Sequence, residues 1–73
     1  MELRTNVEEN LKLANQGNAK AQCQLGFYYF YGYRGLKKDI KQGFYWYKKA
    51  IDQGNKISQL ALFDIYEKGN NVT

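Results

Sequence analysis

The chain is 73 residues long, carries a net charge of +4, and has no histidine, no proline, one cysteine (Cys23) and one serine (Ser58). Without histidine it can build neither a Ser-His-Asp nor a Cys-His nucleophile, and one thiolate is too few for a structural zinc site. Enzymatic activity, cofactors and metal are therefore not expected, and the aromatic residues, 16% of the chain, direct the reading toward binding.

The first predicted helix covers 3–16, with Leu3, Val7, Leu11 and Ala14 at helical spacing. Its leading stretch, MELRTNVEENLKLAN, mixes charges and lacks an apolar signal core. No run of 18 apolar residues occurs anywhere, so no membrane span is expected, and a reduced, cytoplasmic setting fits a lone cysteine. Gly17 is a left-handed C-cap candidate, and Asn18 can start the next helix.

The second helix, 19–31, places Ala21, Leu25, Tyr28 and Tyr29 on one packing stripe. Cys23, Phe27, Phe30 and Tyr31 fall on the far side, where a surface helix is usually polar. Aromatic FYYFY is also a possible strand. After it, Gly32 and Gly35 interrupt the chain and Asp39 is an N-cap candidate.

The third helix, 39–53, gathers Gly43, Trp46, Tyr47 and Ala50 on one side. Lys37, Lys38, Lys41, Lys48 and Lys49 surround Tyr45 on the other. Between Tyr31 and Lys56 seven basic residues stand against two acidic ones, so the positive charge is concentrated here. Gly54 repeats the role of Gly17, and a fourth helix, 56–68, carries Ile57, Leu60, Leu62 and Ile65 before a frayed tail.

A shift of 37 residues lays Gln16-Gly17-Asn18 on Gln53-Gly54-Asn55, Gln22 on Gln59, Leu25 on Leu62, Tyr29 on Tyr66 and Gly32 on Gly69. The chain thus reads as a little under two copies of one helical hairpin. The register also favours helix over strand for FYYFY, because the equivalent FDIYE is helix-like.

Ala21-x3-Leu25-Gly26-x2-Tyr29-x2-Gly32, then Gly35-Leu36-x2-Asp39, Gly43-x2-Trp46-Tyr47-x2-Ala50 and Gly54 resemble one Sel1-like repeat. The resemblance implies an all-α fold, an α-α superhelix of the tetratricopeptide type with about four helices. Residues 1–73 would form one domain. Within it, 3–16 would be the second helix of a preceding unit, 17–53 a full repeat and 54–69 the first helix of a following unit. It further implies a scaffold for protein–protein interaction, with the first helix of each hairpin lining a concave surface.

Three positions depart from the pattern. Gly32 and Gly35 are one residue further apart than usual, so the hairpin turn should differ locally. Gly43 replaces an alanine, which costs a helix roughly 1 kcal/mol unless a neighbouring backbone packs there. Phe63 stands where the first unit has Gly26, and reads as a cap ending the array or as a surface buried against a second copy.

The expected partner site on the concave side comprises Lys20, Cys23, Phe27, Phe30, Tyr31, Leu60, Asp64 and Glu67. Phe27 and Phe30 can instead be core, packed on flanking helices. An apolar floor beside the acidic Asp64 and Glu67 suits an amphipathic or basic protein segment, which the chain would mask, inhibit or scaffold. The alternatives are nucleic acid on the lysine face and self-association, as a homodimer through exposed solenoid ends.

Overall fold

The computed structural model describes the backbone of residues 2–72 and the side chains of residues 7–68. Four helices follow one another: α1 (Glu2–Asn15), α2 (Ala19–Tyr31), α3 (Ile40–Asp52) and α4 (Lys56–Val72). FYYFY is helical, and no strand occurs among the described residues. The frayed tail expected after residue 68 is replaced by helix as far as Val72. Leu3 and Gly69 lie outside the residues whose side chains are described.

The two copies of Gln-Gly-Asn build the same turn twice. Asn18 N–H donates to Leu13 O (3.0 Å) and Gly17 N–H to Ala14 O (3.0 Å). In the second copy Asn55 N–H donates to Ala50 O (3.1 Å) and Gly54 N–H to Ile51 O (2.7 Å). Both glycines are left-handed, at φ 96° and 87°, which satisfies orphan helix carbonyls without strain on a Cβ. Each asparagine then caps the next helix, Asn18 Oδ1 accepting from Ala21 N–H and Asn55 Oδ1 from Ser58 N–H. Asp39 caps α3 in the same way through Gln42 N–H. The glutamines tie the turns together: Gln53 Nε2 donates to Gly17 O (2.8 Å) and to Gln22 Oε1 (3.0 Å).

Helices α2 and α3 pack most extensively, because glycines lie on both facing surfaces. A Cβ on Gly26 would meet the Tyr47 ring at 2.7 Å, and one on Gly43 would meet Phe30 Cβ at 2.9 Å and Gly26 O at 3.1 Å. The helical cost of Gly43 is thus offset by a close backbone approach. Ala14, Ala21, Leu25, Tyr28 and Trp46 form the buried cluster, with Val7, Leu11, Tyr29 and Leu36 packed against it.

The molecule measures 37 × 26 × 15 Å, a layer one helix thick given a helix diameter of about 10–12 Å. Such a slab leaves every helix a free flank. On α4 that flank is apolar. Ile57, Leu60 and Phe63 are 69%, 68% and 63% exposed. Tyr66, which the 37-residue shift lays on Tyr29, is also exposed and stacks on Phe44, with ring centroids 6.3 Å apart.

Candidate functional site

A groove of about 430 Å³ runs between α2 and α4. Helix α2 supplies Lys20, Cys23, Gln24, Phe27 and Tyr28, which share a flank because steps of three and four residues return to one side of a helix. Tyr47 of α3 closes the floor, and Asn55, Ile57 and Ala61 form the opposite wall. One end is made by Tyr33 and Arg34 of the α2–α3 loop.

That loop carries the local difference expected from the wide glycine spacing. Gly32, Arg34 and Gly35 are all left-handed, at φ 71°, 58° and 81°. Tyr33 N–H donates to Tyr28 O (2.8 Å), turning the loop back over the end of α2. Tyr33 then meets Phe27 edge-on, with centroids 5.0 Å apart, and stacks on Tyr28 at 6.3 Å. The Arg34 guanidinium lies 5.8 Å from the centre of the Tyr28 ring, within cation–π range.

Of the expected partner-site residues, the groove gathers Lys20, Cys23 and Phe27. Phe27 is exposed, as a binding residue must be. Tyr31 borders the groove, exposed and in ring contact with Phe27 at 5.0 Å. Phe30 does not belong to it. Its side chain is half-buried over Gly43 and against Phe44, with centroids 5.7 Å apart.

Leu60, Asp64 and Glu67 do not line the groove either. Ser58 is fully buried, and two residues at 100° each put Leu60 on the opposite side of α4. Asp64 lies one turn beyond Ala61 and pairs with Lys68 at 3.4 Å, both exposed. Among the described residues, none of the acidic side chains expected beside the apolar floor lines the groove itself. The groove's charged lining is instead Lys20 and Arg34, both cationic.

Gln24, Tyr33, Arg34, Asn55, Ile57 and Ala61 were not expected at the site, and nothing in helical spacing brings a loop arginine back onto α2. Tyr47, on the same side of α3 as Gly43, Trp46 and Ala50, is core at 2% exposure and also lines the groove. Burial, then the neighbouring Cys23 and Tyr31, pushes the Tyr47 phenol well above the ordinary tyrosine range.

The lysines of the basic face are all exposed around a half-exposed Tyr45. Lys49 Nζ lies 5.4 Å from the Tyr45 ring centre, and Lys48 pairs with Asp52 at 3.7 Å. Among the described residues no group of three His, Cys, Asp or Glu side chains is placed to hold a metal ion, and no helix is long and apolar enough to cross a membrane.

Helical hairpins joined by repeated Gly-Asn turns, stacked one layer thick around a side groove, define an α-solenoid of the tetratricopeptide kind. The chain belongs to the Sel1 repeat family, whose profile matches residues 19–55. Repeats of this family generally mediate protein–protein interaction. It is 39% identical over 56 residues to the ERAD-associated E3 ubiquitin-protein ligase component HRD3A of Arabidopsis thaliana, covering 77% of this chain and 8% of that protein. The corresponding component HRD3B from the same plant is 40% identical over 81% of this chain and 9% of its own length. The putative sel1-like repeat-containing protein R815 of Acanthamoeba polyphaga mimivirus is 35% identical across this whole chain, which spans 14% of it. The chain thus spans under a sixth of each of these relatives. No solved structure matches it significantly.

Proposed function

We propose that the chain is a non-enzymatic module that holds a segment of another protein in the α2–α4 groove. The observation that carries this reading is Phe27, an aromatic side chain 38% exposed beside a 430 Å³ groove floored by Tyr47. Exposed apolar surface in a concave site is where partners dock. The effect of such a seat is occupancy: masking, inhibiting or scaffolding what it holds. The Arabidopsis relatives are named as components of a larger ligase assembly, a role of the same kind. A reducing, cytoplasmic location belongs to the proposal too, since Cys23 is the sole cysteine and is free.

A crosslinking probe on the groove wall provides the test. A benzophenone maleimide attached to a Cys23→Ser, Gln24→Cys chain, at an exposed position lining the groove, should crosslink to a partner in the native cell extract. The same probe on a Cys23→Ser, Lys41→Cys chain, outside the groove, should not. Equal crosslinking from both positions would remove the groove reading.

A second reading is end-to-end packing of two copies through the outer face of α4. It is favoured by the two apolar side chains exposed there, Leu60 and Phe63. Antiparallel pairing of two α4 helices would set Lys56 of one copy near Glu67 of the other.

A further inference from the structure

Resting on the groove as the partner's seat, we infer that its occupant is a short acidic segment with an apolar anchor, held between Lys20 and Arg34. Those two are the charged side chains that line the groove, and neither takes part in a salt bridge among the described residues. Among the described residues no carboxylate lines it. Helix α2 also has no acidic residue in its first turn, so Lys20 and the positive helix end act together there. A basic ligand would meet repulsion at both ends and attraction at neither.

Spacing sets the ligand's length. Lys20 stands in the first turn of α2 and the Arg34 guanidinium is folded back over Tyr28, eight residues further on, so the two charges are separated along the helix by roughly 12 Å at 1.5 Å per residue. About four extended residues bridge that distance. Between the charges the floor is apolar, with Cys23, Phe27 and Tyr47 facing Ile57. An aliphatic or aromatic side chain seats there while carboxylates reach the ends.

Arg34 carries a second, independent observation. It is the one non-glycine residue with positive φ among the described residues. L-residues avoid that conformation, and glycine or asparagine would make the turn more readily. The turn therefore does not account for an arginine. Its guanidinium lies 5.8 Å from the centre of the Tyr28 ring, and a guanidinium held beside a ring keeps a fork of N–H donors for bidentate carboxylate recognition. Strain kept at a residue aimed into a cleft is the pattern of a ligand contact.

The experiment is fluorescence anisotropy with two labelled peptides of about ten residues. One places Asp and Glu on both sides of a Leu-Phe centre, and its twin has Lys at every acidic position. The acidic peptide should bind, and more weakly as salt rises. Lys20→Glu and Arg34→Glu should each weaken it by about fivefold or more, while Lys41→Glu, the same charge change outside the groove, should alter it less than about twofold. Arg34→Gly should weaken binding too, with the helical circular dichroism retained. If the lysine twin binds as well, if neither peptide binds, or if the two groove reversals act no more strongly than Lys41→Glu, the acidic assignment is overturned. Cys23→Trp, which fills the floor, and Phe27→Ser separate the two levels: both should abolish binding. Undiminished binding in both would take the groove reading down along with this one.

Discussion

A Cβ on Gly26 would stand 2.7 Å from Cδ1 of Tyr47, so the tyrosine ring lies directly on the bare backbone of α2. Gly43 gives the same access in the other direction, to Phe30. Gly26→Ala should accordingly destabilise the protein by about 1–3 kcal/mol through overpacking, against a helix-propensity gain of about 1 kcal/mol. Urea unfolding followed by circular dichroism measures the difference. Unchanged stability would mean that the ring can move aside.

The raised pKa of Tyr47 makes stability depend on alkaline pH. Its neutral phenol is favoured by burial, and Cys23 and Tyr31 add to this. A folded-state pKa above the unfolded value of about 10 means that the full contribution is present below pH 10 and is lost as pH rises further. Thermal melts should therefore fall steeply above about pH 10. Tyr47→Phe should flatten that slope, and an identical slope in the variant would refute the assignment.

Ser58 is fully buried and its Oγ has no hydrogen-bond partner among the described residues. The position 37 residues earlier is Ala21, also buried, at 4% exposure. Ser58→Ala should stabilise the chain by about 1–2 kcal/mol, since it removes an unmade hydrogen bond and improves helix propensity. A lower melting temperature in the variant would count against this account.

Phe27 and Phe30 lie three residues apart and should behave differently. Phe27→Ser changes an exposed ring, and its stability cost should stay below about 1 kcal/mol. Phe30→Ser removes the ring packed over Gly43 and against Phe44, and should cost about 2 kcal/mol. Loss of partner binding in Phe27→Ser with its melt intact separates site from core. Equal destabilisation by both would merge them.

The outer face of α4 predicts concentration-dependent association. Sedimentation velocity should show mass rising with concentration, and Leu60→Ser with Phe63→Ser should abolish the rise. A native chain that stays monomeric throughout would dispose of end-to-end packing.

The helices are legible in the amino-acid sequence because capping and spacing are local. Gly17, Asn18, Asp39, Gly54 and Asn55 announce their turns through side chains and φ preferences that act within four residues. The role of Gly43 is half legible, since a helical glycine implies a close neighbour without naming Phe30. The site is less so. Helical spacing groups Phe27 with Phe30 on the far side of α2, but only the crossing of α3 decides which of the two it covers.

Sequence by itself determined four helices, two equivalent turns, the family and an aromatic surplus on α2, because each rests on periodicity, caps and a 37-residue register. Tertiary structure alone decided where those aromatics go and which charges meet them. Glycines on both faces let α3 come close enough to take Phe30, burial of Ser58 turned Leu60 outward, and a left-handed loop brought Arg34 onto Tyr28. The chain has no histidine but is rich in aromatic rings. Folding leaves Phe27 and Tyr31 beside a groove with positive charge at both ends, because a slab one helix thick cannot bury them all.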